Sequence, residues 1–208
     1  TRTRGVPTRD LERRAESGLG WAMAGQALTP FGDIVENPWG PMDEARQIPD
    51  FSTRFTVPGN ELIPDLNAVL CDGWQSLDEP WDCCVRSTCR KALADFEAAT
   101  GCSLVMAWEH EFILSGDDKE PEIPFSFSAA RQRHLVLTEI EAALTAADVP
   151  IESVEPEYGV SQYEVASGPE AALVAADHAV ITREVIREIA ERRGLRASFT
   201  PKSSPEAV

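Results

Sequence analysis

Short apolar segments separated by proline and glycine mark the first third of the chain. Stretches rich in these two residues, at positions 30–32, 38–41 and 58–59, favour loops between short strands. The apolar run Ala68–Cys71 predicts a strand, and the Asp72-Gly73 pair that follows it predicts a turn. We therefore expect a small, loop-rich β unit in this part of the chain.

From Asp82 onward, segments with helical spacing alternate with strand-like runs. Gly101 and Gly194 stand where the C-caps of two helices belong. The predicted elements are, in order, a helix over 85–100, a strand over 104–114, a helix over 129–147, a strand over 159–166, a helix over 170–193 and a strand over 195–200.

The two later helices carry apolar stripes that are typical of core packing. On the helix over 129–147, we expect Leu135, Ile140 and Leu144 to share one face. The stripe of the longest helix comprises Leu173, Ala176, Val180, Ile181, Ile189 and Ala190. Its ordinary spacing indicates core packing, and not a cofactor site.

Acidic residues dominate the charge of the chain. Its 208 residues include 19 basic and 35 acidic ones, for a formal net charge of −16. Such a surface repels nucleic acid and anionic membranes, so neither is an expected partner. An anionic substrate would need a local cation to overcome this background, and a divalent metal ion is the obvious candidate.

The five cysteines indicate a reducing compartment. An odd number of cysteines forms no complete disulfide framework, so we expect buried, reduced thiols and a cytoplasmic location. A zinc cluster at Cys83, Cys84 and Cys89 is the alternative, but these residues lack the paired spacing of zinc sites. No apolar run approaches the roughly 20 residues of a membrane-spanning helix.

The strongest chemical signal is Glu109-His110-Glu111, inside an otherwise apolar strand. Because side chains alternate along a strand, both glutamates lie on one face and His110 lies on the other with Phe112. Two like charges on one face of a core strand are costly unless they are solvated or compensated. Exposure to solvent is the simpler explanation, and a bridging Mg²⁺ or Mn²⁺ ion is the alternative.

A second acidic segment lies around the strand over 159–166. Glu157 precedes this strand, and Gln162 and Glu164 share one of its faces. Alone it would indicate a solvated strand edge. Together with the first pair, it predicts four carboxylates around one or two cations, provided that the two strands are neighbours.

Five segments resemble motifs of the glutamine synthetase superfamily, in matching order and spacing. The resemblance covers about residues 47–202. The segments are Ile48-Pro49-Asp50-Phe51-Ser52-Thr53, Glu109-His110-Glu111-Phe112, Glu157-Tyr158-Gly159-Val160-Ser161-Gln162-Tyr163-Glu164-Val165, Ala175-Ala176-Asp177 and Phe199-Thr200-Pro201-Lys202. They resemble the family elements P-D-x-[ST]-T, E-x-E-F, E-x-G-x-G-Q-x-E-[VI], A-A-D and F-M-P-K, respectively.

The resemblance implies an α+β fold in two parts. Residues 1–76 would form a partial β-grasp domain, and residues 77–208 the start of a catalytic domain of the glutamine synthetase type, with an antiparallel sheet and packed helices. We expect the chain to be the amino-terminal half of such a protein, because the family's glycine-rich loop with its metal-binding histidine would begin just past Val208. The intact protein would be a homo-oligomer of stacked rings.

The resemblance also implies an activity and a set of ligands. Family members use ATP to phosphorylate the γ-carboxylate of glutamate, and ammonia or an amine then displaces phosphate. Carried over to this chain, one Mg²⁺ or Mn²⁺ ion would be held by Glu111, Glu157 and Glu164, and a second ion by Glu109 with later residues. Glu152 matches a nucleotide-contacting glutamate by spacing alone. No catalytic residue is assigned.

Departures from the family pattern leave alternatives open. Ser161 stands where the family usually has glycine, and Ser203 replaces a proline. The segment Gly18–Trp21 does not match the acidic loop that binds ammonium in true glutamine synthetases, so a γ-glutamyl-polyamine or γ-glutamyl-ethanolamine ligase is an alternative to glutamine synthesis. A non-catalytic protein that keeps the fold is the alternative of another class. The resemblance also aligns Arg86 with a helix-opening arginine, for which we expect a structural role.

Overall fold

The computed structural model describes residues 1–117 and 120–201. The expectations for Lys202 and Ser203 therefore lie outside the described residues. The helices are α1 Leu11–Ser17, α2 Val85–Thr100, α3 Phe127–Gln132, α4 His134–Ala146 and α5 Ala172–Arg192. The strands are β1 Leu19–Ala22, β2 Glu44–Pro49, β3 Phe55–Val57, β4 Leu66–Ala68, β5 Cys71–Ser76, β6 Glu79–Pro80, β7 Val105–Met106, β8 Glu109–Ser115, β9 Ile151–Pro156, β10 Gln162–Ser167, β11 Glu170–Ala171 and β12 Arg196–Ser198.

The chain divides into two compact units whose sequences interleave. The amino-terminal unit comprises residues 2–54 and 69–102. The carboxy-terminal unit comprises Thr1, the β3–β4 hairpin within Phe55–Ala68, and the described residues from Ser103 to Pro201. The mixture of helices and antiparallel strands confirms the predicted α+β class. The β-grasp assignment and the boundary near residue 76 stay predictions.

The amino-terminal unit is built on an antiparallel sheet in the order β1-β2-β5-β6. Its small core contains Met23, Ala45 and Trp81, with Trp39 packed edge-on against Trp81 at a centroid distance of 5.3 Å. The loop-rich β unit predicted for this region is present. Few of its apolar side chains are fully buried, because long loops separate its short strands.

The predicted turn at Asp72-Gly73 is wrong, because both residues lie inside β5 and the turn falls at residues 77–78. Tertiary contacts override the turn signal. A Cβ atom on Gly73 would stand 3.3 Å from the Cβ of Cys84, so glycine serves close packing here. Asp72 is buried and receives a hydrogen bond from the Arg86 guanidinium at 2.9 Å.

Arg86 ties three segments of this unit together. Its two terminal nitrogens donate to Asp72 in β5 and to Asp50, which precedes a short 3₁₀ turn, each at 2.9 Å. Arg90, one turn further along α2, adds a second ion pair to Asp72 at 2.9 Å. The side chain of Arg86 is only 12% exposed. This geometry agrees with the structural role expected for Arg86.

Helix α2 begins and ends where the pattern predicts. Gly101 adopts φ 71°, and its amide bonds to the carbonyl of Glu97, which is the left-handed C-cap expected of glycine. All five cysteines are free thiols, but only Cys84 is buried, so the expectation that all of them are buried is wrong. Among the described residues, no helix combines the length and apolar character needed to cross a membrane.

The carboxy-terminal unit is built on a second antiparallel sheet, in the order β12-β8-β10-β9. Its core lies between this sheet, the helices α4 and α5, and the β3–β4 hairpin. The largest fully buried side chains of the unit are Phe112, Leu114, Ile140, Leu144, Ile186, Ile189, Val57, Val165 and Val185.

The strand predicted over 104–114 is broken at residues 107–108. Its first part, β7, pairs with β11 in a separate two-stranded sheet, whereas β8 begins at Glu109. Ser167 bridges the break, because its Oγ accepts a hydrogen bond from the Trp108 amide at 2.9 Å and its amide donates to the Trp108 carbonyl at 2.8 Å.

The helix predicted over 129–147 is two helices that meet at Arg133. The guanidinium of Arg133 is buried and donates to both carboxylate oxygens of Asp117. Leu135 is 70% exposed, so its assignment to the core face is wrong. Residues 135 and 140 lie about 140° apart around a helix, whereas the buried positions 137, 140 and 144 follow helical spacing.

Helix α5 matches its predicted position, but its core stripe is shifted. Val180 is half-exposed, and the core face is formed by Ala172, Ala175, Ile181, Val185, Ile186, Ile189 and Ala190. His178 lies on this helix and has an acidic partner that the sequence did not reveal. Its Nδ1 lies 2.6 Å from a carboxylate oxygen of Glu170.

Candidate functional site

The two glutamates of Glu109-His110-Glu111 lie on one face of β8, as the alternation predicts. His110, Phe112 and Leu114 are buried on the opposite face, against α5 and its neighbours. Both glutamates are exposed, so solvation removes part of the cost of placing two like charges on one strand. We call the side of the sheet that bears them the carboxylate face.

Strand pairing places further carboxylates on this face. Glu164 of β10 lies directly opposite Glu111 of β8 and directly opposite Glu155 of β9. Residues that face one another in an antiparallel ladder project to the same side of the sheet. Glu109 lies opposite Ala166, next to the same row. The two acidic strands are thus neighbours, as the prediction of converging carboxylates requires.

On the carboxylate face, the pKa of Glu164 is raised by its surroundings. Its residue is only 8% exposed, although the side chain projects from the polar side of the sheet. Burial, followed by the charges of Glu109, Glu157, Glu155 and Glu111, raises the pKa of Glu164 from the 4.5 of a free glutamate to about 7. The predicted ligands Glu109, Glu111 and Glu157 therefore lie close enough to Glu164 to repel its charge.

Glu155 also belongs to the carboxylate face, although the sequence did not predict it as a site residue. Its pairing with Glu164 adds to the charge around that carboxyl group. The only signal was its place in the acidic run Glu155-Pro156-Glu157. To predict its place opposite Glu164 one needs the register between β9 and β10, which the sequence of a single strand does not reveal.

The turn between β9 and β10 carries Glu157. Its backbone is closed by a hydrogen bond from the Glu157 amide to the Gln162 carbonyl at 2.9 Å. Ser161 adopts φ 55°, a left-handed conformation that favours glycine. This backbone geometry accounts for the glycine that the family motif has at this position, and it makes Ser161 a strained substitute.

Glu152 is not among the carboxylates that act on Glu164. It is exposed and sits at the irregularity of β9, where Ser153 pairs with Ala166 and Ile151 with Ser167. The nucleotide-contacting role of Glu152 stays a prediction.

The donor set of the carboxylate face suits a hard divalent cation. Carboxylate oxygens are the ligands that Mg²⁺ and Mn²⁺ prefer, and a cation would relieve the repulsion around Glu164. Among the described residues, however, no three His, Cys, Asp or Glu side chains lie in an arrangement that would hold a metal ion. Glu109, Glu111, Glu157 and Glu164 therefore fit such an ion by chemistry and charge, and their role as ligands stays a prediction.

His110 is packed in the core behind the carboxylate face. Its ring lies edge-on to Phe199 at a centroid distance of 6.5 Å and near Trp108 at 6.1 Å. Burial, and then the charge of Arg183, lowers the pKa of His110 below its usual 6.5. Within the described part of the chain, its Nδ1 has no hydrogen-bond partner. His110 is therefore a neutral core residue of the carboxy-terminal unit.

Known proteins resemble this chain in both fold and sequence. The family model for the glutamine synthetase catalytic domain matches residues 82–208. A solved structure described as a novel glutamine synthase homolog superposes with a TM-score of 0.91 and 35% identity, covering 100% of this chain and 49% of that one. Residues 82–208 are thus part of a catalytic domain of the glutamine synthetase type. The chain belongs to the glutamine synthetase family.

Two relatives with named activities are each 30% identical to the chain. Gamma-glutamylpolyamine synthetase of Streptomyces coelicolor aligns over 214 residues, which is 96% of this chain and 44% of that protein. Glutamate–isopropylamine ligase of a Pseudomonas species aligns over 179 residues, which is 76% of this chain and 37% of that protein. The chain spans less than half the length of these relatives. The family generally depends on ATP and a divalent metal ion.

Proposed function

We propose that this chain is part of an ATP-dependent ligase that joins ammonia or an amine to the γ-carboxylate of glutamate through γ-glutamyl phosphate. The observation that carries the proposal is the carboxylate face, where burial and the charges of the surrounding glutamates raise the pKa of Glu164 to about 7. Carboxylates that repel one another in this way favour a bound divalent cation. Family membership supports the choice of reaction.

The proposed roles of the glutamates follow from this choice. Glu111, Glu157 and Glu164 would hold one Mg²⁺ or Mn²⁺ ion, and Glu109 would contribute to a second. A divalent cation in this position offsets the negative charge of a phosphate in transfer. Glu152, at the irregular part of β9, is proposed to contact the nucleotide. The residues that bind glutamate are not assigned.

The names of the more similar relatives support an organic amine, and not ammonia, as the acceptor of this chain. Both relatives at 30% identity are named as glutamate–amine ligases, whereas the glutamine synthetases of Dictyostelium discoideum and Methanocaldococcus jannaschii are 28% and 25% identical. We therefore propose a polyamine, ethanolamine or small alkylamine as the preferred acceptor. Glutamine synthesis is the second candidate.

Phosphate release tests the reaction and the acceptor together. The protein expressed from the whole coding region would be given glutamate, ATP and Mg²⁺ or Mn²⁺, with ammonia, ethanolamine, isopropylamine or spermidine. We expect turnover that requires glutamate and is faster with an organic amine. Glu111→Ala should abolish it, whereas Glu141→Ala, at an exposed glutamate of α4, should not. Absence of turnover with every acceptor would support a non-catalytic protein.

Assembly and location complete the proposal. By analogy with the family, we propose a homo-oligomer of stacked rings and a cytoplasmic location. Light scattering of the same protein would measure the assembly, and a monomer at micromolar concentration would contradict it. Cell fractionation would test the location.

A further inference from the structure

Gln162 uses both ends of its side-chain amide at the centre of the carboxylate face. Its Nε2 donates a hydrogen bond to Glu111 at 2.6 Å. Its Oε1 accepts a hydrogen bond from the backbone amide of Gly159 at 2.7 Å. One neutral side chain therefore connects Glu111 on β8 to the turn that carries Glu157.

The turn is shaped around this amide. A Cβ atom at position 159 would stand 2.5 Å from Gln162 Oε1 and 3.2 Å from its Cβ, so any larger residue there would displace the side chain. Ser161 holds a left-handed backbone conformation next to Gln162. These two backbone features bring the amide oxygen of Gln162 to the Gly159 N–H.

A neutral donor has an electrostatic advantage at this position. Glu111 lies opposite Glu164, within a group of carboxylates whose mutual repulsion favours movement apart. An amide N–H holds one oxygen of Glu111 by a charge-assisted hydrogen bond without adding a positive charge. A lysine or arginine would also hold the carboxylate. Its positive charge, however, would neutralise part of the negative charge that attracts a divalent cation to the carboxylate face.

We propose that Gln162 is a positioning residue that fixes Glu111 for divalent-cation binding and couples it to the turn bearing Glu157. The proposal rests on the proposed function, because it assigns Gln162 a task in the same metal site. Partners that orient metal ligands by hydrogen bonds typically account for about 10- to 100-fold in metal affinity. Removal of the amide should therefore weaken cation binding while the ligands themselves remain.

The test is Mn²⁺ binding by Gln162→Met, measured by calorimetry and by electron paramagnetic resonance without nucleotide. Methionine keeps the length of the side chain and removes both hydrogen bonds. We expect a dissociation constant about 10-fold or more above that of the unmodified protein. Gly159→Ala should weaken binding in the same direction. Gln132→Met is the matched control, because Gln132 donates its side-chain amide to the Glu120 carbonyl at 3.0 Å.

A readout without metal separates positioning from general stability. Hydrogen exchange at the Gly159 amide should accelerate in Gln162→Met, while the melting temperature of the metal-free protein stays within a few degrees. Unchanged Mn²⁺ affinity in Gln162→Met would overturn the proposal even if the enzyme turns over. Weakened Mn²⁺ binding without turnover in the unmodified protein would uphold it and contradict the proposed function. An unmodified protein that binds no Mn²⁺ would overturn both.

Discussion

Glu164 offers the sharpest test of the carboxylate face. The residue is 8% exposed, and burial together with four neighbouring glutamates raises its pKa to about 7. Glu164→Gln keeps the size and shape of the side chain and removes its charge. Because burial and repulsion both act against the ionised carboxylate, this substitution should stabilise the metal-free protein at neutral and alkaline pH.

The size and sign of the effect follow from the pKa. A folded-state value near 7 lies about 2.5 units above the 4.5 of a free glutamate, and each unit corresponds to about 1.4 kcal/mol. Between these two pH values the folded state keeps a proton that the unfolded chain has released, so stability falls as pH rises. The Gln variant lacks this loss. Its free energy of unfolding should exceed that of the unmodified protein by up to about 3.5 kcal/mol above pH 8, and by little below pH 4.5.

Native-state hydrogen exchange in β8 and β10 would measure the difference where it arises. Exchange would be followed from pH 5 to pH 8.5 in the presence of a chelator, beside urea denaturation of the same samples. Glu141→Gln is the matched control at an exposed site of α4. A stability difference that does not change with pH, or a Gln variant that is the less stable protein at pH 8, would refute the reasoning.

Three further predictions concern other positions. Ser161→Gly should raise the melting temperature, because relief of the left-handed conformation is worth about 1 kcal/mol; a decrease would contradict it. His110→Phe should reduce the loss of stability as pH falls below 6.5, because the unfolded chain binds a proton that the buried ring resists; chemical denaturation at pH 5 and pH 7 would show it. Arg86→Met should cost about 2 kcal/mol, because Asp50 and Asp72 lose the more buried of their two arginine partners while Arg90 remains paired with Asp72; urea denaturation would measure it, and a loss no greater than that of exposed Lys91→Met would disprove it.

Elements fixed by local chemistry were predictable from the sequence. Helix α2 ends at Thr100 because Gly101 supplies the left-handed cap, and that signal is local. The alternation of Glu109, His110 and Glu111 is equally local, since it follows from the pleat of one strand. The error at Leu135 was one of spacing, because helical period alone places it away from Ile140.

Features that depend on distant partners were not predictable. The break at Trp108 depends on two partners far along the chain. β7 pairs with β11, and the side-chain oxygen of Ser167 accepts the hydrogen bond of the Trp108 amide in place of a backbone carbonyl. The part played by Glu155 depends on the β9–β10 register. The sequence placed Gln162 and Glu164 on one face, but the hydrogen bond that Gln162 makes to Glu111 required the register between β8 and β10.

Two features that destabilise the folded carboxy-terminal unit lie at the proposed metal site. Ser161 holds a left-handed backbone conformation, and ionised Glu164 opposes folding by about 3.5 kcal/mol at alkaline pH. A ligand at about 1,000 times its dissociation constant stabilises the folded state by about 4.1 kcal/mol, which exceeds this cost. Mn²⁺ at that level should therefore abolish the stability advantage of Glu164→Gln at pH 8, because the variant lacks one of the three proposed ligands and binds the ion more weakly. If the advantage persists with Mn²⁺ present, the repulsion is not compensated by a metal, and the carboxylate face is merely a solvated acidic surface.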